Sequence, residues 1–288
     1  MIKTVWLTDN KNIAKGVTML LGGFDGLHVG HRRLLSCAKQ NGLPVGVMTI
    51  IGGKQGNLFT FEERERIFTQ NGVDFVFELP FDEIKDLSPT QFIELLCEKF
   101  NPKLFVCGED FRFGAGALGT PEILKQSTQV RVEILPLVEI EGEKISSRQI
   151  KTLLSCGEIQ KANALLGEAF SLTGKVEKDR QVGRTMGFPT ANIPYAKEKF
   201  PLKKGVYETR VRLDGVEYKG ITNYGARPTF DNEKITTETY LDGFSGDLYG
   251  KILTVSFTRY LRDIQKFDSI DELKKQLQED IRRVREND

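Results

Sequence analysis

Met19-Leu20-Leu21-Gly22-Gly23-Phe24-Asp25-Gly26-Leu27-His28-Val29-Gly30-His31-Arg32-Arg33-Leu34-Leu35 is the stretch from which the first half of the chain can be read. Its apolar start predicts a buried strand, Gly22, Gly23 and Gly26 predict a tight turn, and His31 to Leu35 open an amphipathic helix. A strand that turns into a helix N-terminus presents unpaired backbone N–H groups and the positive end of the helix dipole, which together suit a phosphate. Both histidines of the chain, His28 and His31, fall in this turn. They can donate hydrogen bonds and, when protonated, add charge. Two histidines alone would fit a packed loop equally well; the glycine-rich turn favours the phosphate site.

Strands and helices alternate on either side of the turn. Thr4 to Leu7 offers a short strand, and residues 45–51, 73–77, 104–107 and 130–135 supply others after the strand at 17–22. Between them lie a helix from Gly30 to about Asn41, one opened by the capping box Thr60-Phe61-Glu62-Glu63, and one opened by Ser88-Pro89-Thr90-Gln91 that runs to Phe100. Strands separated by helices of this length need right-handed parallel crossovers, so a doubly wound parallel sheet is expected, with its ligand at the strand carboxyl ends. Ser146-Ser147 caps a helix through Leu154, and Glu158 to Leu166 forms another, closed by Gly167; the two read as a helical bridge.

Beyond Phe170 the pattern changes to strands joined by glycine turns: Ser171 to Val176, Gly205 to Leu213, Val216 to Asn223, Thr236 to Leu241 and Ile252 to Tyr260. An antiparallel barrel is the expected closure, because it removes exposed edges. Ser269 to Arg285 reads as a terminal amphipathic helix whose Ile270, Leu273, Leu277 and Ile281 pack on that barrel. The fold class is therefore α/β: a parallel-sheet domain over residues 1–167, bridge included, then a β-barrel domain over 168–288.

Composition limits the function. With 41 basic and 40 acidic residues the net charge is +1, so no broad electrostatic footprint for nucleic acid or membrane exists, while small anions remain possible ligands. The four cysteines form no CxxC pair and have no thiolate–histidine spacing for zinc, so they read as reduced thiols. Apolar runs are short of a membrane span, and no targeting signal is visible, which predicts a soluble cytoplasmic protein. Gly114-Ala-Gly116-Ala-Leu-Gly119 matches the dinucleotide fingerprint GxGxxG letter for letter, but six residues separate it from the end of its strand at Cys107. The fingerprint must start at the strand end, so this match is discounted.

Gly22-x-Phe24-Asp25-Gly26-x-His28-x-Gly30-His31 resembles the nucleotidyltransferase signature of the bacterial bifunctional riboflavin kinase/FAD synthetase family. Gly108-Glu-Asp110-Phe111-Arg112-Phe113-Gly114, Ile145-Ser146-Ser147, Gly187-Phe-Pro189-Thr190-Ala191-Asn192, Arg227-Pro228-Thr229 and Gly246-Asp247-Leu248-Tyr249-Gly250 are similar to that family's motifs, in its order, over nearly the whole chain. The resemblance implies two ATP-dependent steps: riboflavin to FMN on the barrel, then FMN to FAD with release of pyrophosphate on the sheet. It implies that Gly22, Phe24, Asp25, His28 and His31 line the adenylylation site, that Arg64 assists, and that Ser146, Ser147 and Arg148 meet phosphates. Gly108, Asp110, Phe111 and Arg112 would face nucleotide and flavin, where an aromatic ring and an arginine can stack on a flat ligand.

In the second domain Thr190 and Asn192 are two apart, so in an extended segment both oxygens face one way, which suits a hard cation such as Mg²⁺. By resemblance these two hold the metal, and Glu238 is the base that activates the ribityl hydroxyl. Gly183, Arg184 and Gly187 are expected in a phosphate-facing flap, Asn223 to Thr229 with Arg227 in a rigid turn near the nucleotide, and Asp247 and Tyr249 in the cofactor-binding set. ATP, riboflavin and FMN are the implied partners, all small molecules. The departures from the family pattern fall mostly in the first domain. Ser146-Ser147-Arg148-Gln149-Ile150-Lys151 stands where Ser-Ser-Thr-Arg-Ile-Arg is usual, and Ile50-Ile51-Gly52-Gly53 stands where Phe-x-Pro is usual. A chain that keeps only the kinase step, or that binds flavin without turnover, is therefore the alternative reading.

Overall fold

The computed structural model describes residues 2–8, 16–52, 56–140, 142–178, 190–226 and 235–286. By packing, the chain divides into two units, Met1–Ser147 and Arg148–Asp288. That boundary precedes the 167/168 junction read from the sequence, and the two bridge helices fall almost entirely with the second unit.

In the first unit β1 (Lys3–Trp6), β2 (Val17–Leu21), β3 (Val45–Ile51), β4 (Phe75–Pro80), β5 (Pro102–Gly108) and β6 (Arg131–Leu135) form one parallel sheet in the order β1-β4-β3-β2-β5-β6. The expected doubly wound topology is present. β2 lies near the middle with every residue buried, and the order reverses there, since β3 follows on one side and β5 on the other. The helices are α1 (Val29–Ala38), α2 (Phe61–Gln70), the single-turn α3 (Phe81–Ile84), α4 (Pro89–Phe100) and α5 (Pro121–Gln126). On one face Met19, Leu21, Phe77, Leu79 and Phe105 pack against Phe92, Leu96 and Phe100 of α4. The alternate residues face α1 and α2: Thr4 donates to Glu65 at 3.1 Å, and Thr18 donates to Asn41, just beyond α1, at 2.9 Å.

Both capping boxes form as expected, at Thr60 with Glu63 and at Ser88 with Gln91. Two features depart from the sequence reading. β4 runs past Phe77, where the sequence reading ends it, to Pro80, and the charged Glu78 within this extension is fully buried. A hairpin, β7 (Glu139–Ile140) with β8 (Glu143–Lys144), precedes Ile145; two-residue strands leave no periodicity to read.

The second unit holds α6 (Ser147–Cys156) and α7 (Ile159–Leu166), then β9 (Ser171–Lys175), β10 (Thr190–Pro194), β11 (Gly205–Leu213), β12 (Val216–Ala226), β13 (Ile235–Leu241), β14 (Ile252–Arg262) and α8 (Ile270–Glu286). The strands are antiparallel, ordered β10-β13-β12-β11-β14-β9, and a bridge in which Glu177 N donates to Asn192 O at 2.9 Å nearly closes the ring. Asn223 to Ala226, expected at the start of a turn, instead continue β12, with Asn223 opposite Glu238 and Gly225 opposite Thr236. Buried Tyr224 holds that end of the strand, its hydroxyl accepting from Leu202 N at 3.2 Å. A Cβ at Gly225 would come within 2.4 Å of the Ile264 Cδ1, so a larger residue there would have to turn the exposed Ile264 side chain aside.

The terminal helix packs as expected through Ile281, joined by Val284, on Val206 and Ile221, with Leu273 and Leu277 half-buried; the Ile270 side chain lies outside the described residues. Two arginine–aspartate pairs of opposite polarity pin it: Arg262 of β14 to Asp280 at 2.7 Å, and Arg285 of α8 to Asp242 at 2.7 and 2.8 Å.

Candidate active sites

The turn after β2 delivers the two histidines to the head of α1. His28 is the N-cap residue, with φ −65° and ψ 166°, and its Nδ1 accepts from His31 N at 3.3 Å. His31 Nδ1 lies 2.8 Å from the Gly26 carbonyl, which can only accept. These hydrogen bonds assign the tautomers: His28 carries its proton on Nε2 and His31 on Nδ1. The rings stack with centroids 3.6 Å apart, and the Phe24 ring lies tilted 4.3 Å from that of His31. Glycines make this closeness possible. A Cβ at Gly30 would come within 3.2 Å of the His28 ring, and one at Gly26 within 2.9 Å of Phe59. Asp25 accepts from Leu58 N at 2.9 Å, which ties the turn to the approach to α2.

Burial holds both imidazoles neutral. It pushes His28 down to about 2, with His31 and the Lys144 charge acting in the same direction. The half-buried His31 goes down to about 4, again mainly through burial, while the Gly26 carbonyl and the Asp110 carboxylate oppose the change. At neutral pH the pair thus acts through hydrogen bonds, not through positive charge.

A stability prediction follows from the sign of these shifts. Between about pH 4 and 6.5 the unfolded chain binds protons that the fold refuses, so the first unit should lose stability as pH falls from 7 to 5. With allowance for solvent at His31, the loss should be about 2 kcal/mol. Urea midpoints at the two pH values, compared with an H28N/H31N variant, check this; equal pH dependence in both proteins would contradict it.

The loop after β5 flanks this turn, because β2 and β5 are neighbours with Leu21 opposite Cys107. Gly108 ends β5, and a side chain there would strike Asp110 at 2.9 Å. Asp110 pairs with Lys144 of β8. Lys144 escaped the sequence reading because only the unforeseen hairpin brings its charge to bear on His28. Phe113 is buried in the core and Phe111 stacks on it with centroids 5.3 Å apart. Arg112 is turned onto its own loop, donating to the Phe111 carbonyl at 2.8 Å. The discounted glycine triplet lies in a loop closed by the Phe113–Gly119 bridge, with Gly114 and Gly116 at φ 71° and 61°. Arg64 is buried on α2. Ser146 and Ser147 lie half-buried at the start of α6, whereas Arg148 is exposed and belongs by packing to the second unit.

On the barrel, strand pairing aligns three polar side chains. Asn192 of β10 and Asn223 of β12 both stand opposite Glu238 of β13. This row and Thr190 lie on the accessible side, because Ala191, Ile193, Thr237 and Thr239 occupy the buried side. Behind the row a buried hydroxyl chain crosses three strands, Thr209 to Thr222 at 3.0 Å and Thr222 to Thr239 at 2.9 Å. Asp247 accepts from Tyr249 N at 3.0 Å, shaping the turn before β14. Gly183, Arg184, Gly187 and Arg227 lie outside the described residues.

The comparisons with known proteins divide the chain in the same way. An FAD synthetase family model matches residues 10–149 and a riboflavin kinase family model matches residues 166–287. The chain is thus a two-domain enzyme of flavin nucleotide synthesis. It is 34% identical to the bifunctional riboflavin kinase/FMN adenylyltransferase of Escherichia coli (strain K12), covering 94% of this chain and 93% of that one. The proteins of the same description from Pseudomonas fluorescens and Bacillus subtilis (strain 168) are 32% and 31% identical, with 94% and 97% of this chain covered and 93% and 96% of theirs. A crystal structure described as a macrolide-efflux protein from Streptococcus pneumoniae superposes with a TM-score of 0.89 at 31% identity, covering 99% of each chain. Among the described residues no helix is long and apolar enough to cross a membrane. This chain belongs to the bifunctional riboflavin kinase/FMN adenylyltransferase family.

Proposed function

We propose that the barrel unit phosphorylates riboflavin to FMN and the parallel-sheet unit adenylylates FMN to FAD, each with ATP, through the residues that follow. The observation that carries the assignment of roles is the Asn192–Glu238–Asn223 row, a carboxylate flanked by amides on one unit, set against a neutral histidine pair at a helix head on the other.

The difference follows from the two nucleophiles. The ribityl hydroxyl is neutral and must lose a proton as it attacks, so it needs a base, and Glu238 takes that proton. Thr190 and Asn192 fit a hard cation, because they offer two oxygen-bearing side chains two residues apart on the accessible side of β10, beside Glu238. When bound there, Mg²⁺ would neutralise the phosphates of ATP. Gly183, Arg184, Gly187 and Arg227 are assigned to the nucleotide side by resemblance, and Asp247 with Tyr249 to the wall of the site.

FMN, by contrast, attacks with a phosphate that is already ionised. The first unit therefore needs no base; it must position two anions and stabilise the charge that builds on the α-phosphate. His28 Nε2–H is the preset neutral donor for that task. His31 orients it through the stack and through the backbone N–H held by Nδ1 of His28. Gly22, Phe24 and Asp25 shape the pocket, Arg64, Ser146, Ser147 and Arg148 serve the phosphates, and Gly108, Asp110, Phe111 and Arg112 form the flavin side. On this reading the protein works in the cytoplasm, where both steps draw on ATP.

The test is product analysis. Incubated with ATP, Mg²⁺ and riboflavin, the protein should accumulate FMN and then FAD, and with FMN supplied it should give FAD and pyrophosphate. FMN without any FAD would leave only the kinase half of the reading standing.

A further inference from the structure

Glu78 is the most anomalous side chain of the first unit. It is 0% exposed, and neither carboxylate oxygen has a hydrogen-bond partner. A carboxylate buried in this way is costly unless a cation or donor completes it. Its position narrows the search for that group. Thr49 of β3 stands opposite Glu78 of β4, near the carboxyl ends of both strands where ligands bind, and the Thr49 hydroxyl is also buried without a partner. Phe77 and Leu79 point to the α4 side, so Glu78 points to the other. That side is covered by α2: Val76, two residues before Glu78, stands opposite Thr4, whose hydroxyl reaches Glu65 of α2.

The same layer holds the complementary orphan. Arg64, one turn into α2, is 6% exposed, and its Nε is buried with no partner. The buried Nε of Arg32 on α1 makes no hydrogen bond either, but its guanidinium is held at the far end of α2, and two carboxylates of α2 are already engaged. Glu63 accepts from Thr60 N at 2.9 Å, Glu65 accepts from Thr4, and Arg32 donates to Asn71 at 2.5 Å.

We propose that Glu78, assisted by the Thr49 hydroxyl, is a positioning residue that holds the Arg64 guanidinium in place for adenylyl transfer. The inference rests on the assignment of Arg64 to the adenylylation site. Arginine offers a rigid fork that is directional only when anchored from behind. Arg64 and Glu78 are not hydrogen-bonded to each other in this structure; a guanidinium turned toward Glu78 and Thr49 would be anchored from the sheet, leaving its far side for phosphate.

Steady-state kinetics of FAD formation from FMN and ATP in E78Q, R64A and the E78Q/R64A pair tests this. E78Q should lower kcat by roughly 10- to 100-fold with little change in the KM for ATP, and E78D should recover part of the loss. The kinase rate of the same protein and its thermal midpoint serve as controls for intact folding. In the R64A background the further substitution E78Q should cost nothing, because its target is gone. An E78Q effect of equal size with and without Arg64, or an unchanged kcat in E78Q, overturns the positioning role. Unchanged adenylyl transfer in R64A overturns the site assignment itself, and the positioning role with it.

Discussion

Replacing Glu238 by glutamine should lower riboflavin phosphorylation by about 10²- to 10⁴-fold and leave adenylylation of supplied FMN at the wild-type rate. The size follows from what is lost. Glutamine keeps the shape of the side chain and can still hydrogen-bond, but it cannot take the hydroxyl proton as the new P–O bond forms. The strand should be undisturbed, because the position lies on the accessible side of β13 while its neighbours Thr237 and Thr239 supply the buried contacts. The loss should therefore appear in kcat, with the KM for riboflavin little changed. Separation of riboflavin, FMN and FAD after timed reactions measures both steps in one protein. Substantial FMN formation by E238Q would remove Glu238 from the role of base.

Replacing His28 by alanine should do the reverse, lowering FAD formation by about 100- to 1,000-fold and sparing the kinase. A single donor aimed at developing charge is worth about 3–4 kcal/mol in a preorganised site. His28 has a second task that alanine also removes, since its Nδ1 caps α1 by accepting from His31 N. Loss of the cap alone should cost about 1 kcal/mol of stability. Asparagine separates the two tasks. In H28N the cap is kept, because Asn is a favoured N-cap residue, but the imidazole Nε2–H is gone. H28N should thus melt like the wild type and transfer adenylyl groups as poorly as H28A. If H28N restores FAD formation, the cap and not the donor is what His28 contributes.

Much of the architecture was legible in the residues because local signals are strong where chain direction changes. Thr60 with Glu63 and Ser88 with Gln91 start their helices where the capping boxes say. Gly167 ends α7 in the left-handed conformation, φ 73°, that favours glycine. Leu213-Asp214-Gly215-Val216 likewise reads as a hairpin turn, and β11 pairs with β12 across it. Where burial contradicts composition, the reading stopped short. The strand read over 73–77 continues through the buried Glu78 to Pro80, and Asn223 to Ala226, read as a turn, are paired strand.

The order of motifs along the chain, the alternation that separates a parallel sheet from an antiparallel barrel, and the chemical kind of each site residue are properties of the sequence itself, because they depend only on neighbours a few positions away. Which side chains meet is another matter. The Asn192–Glu238–Asn223 row depends on the register of three strands, the influence of Lys144 on His28 depends on a short hairpin, and the neutrality of both imidazoles depends on burial. These are long-range arrangements set by packing, and no spacing within the chain encodes them locally.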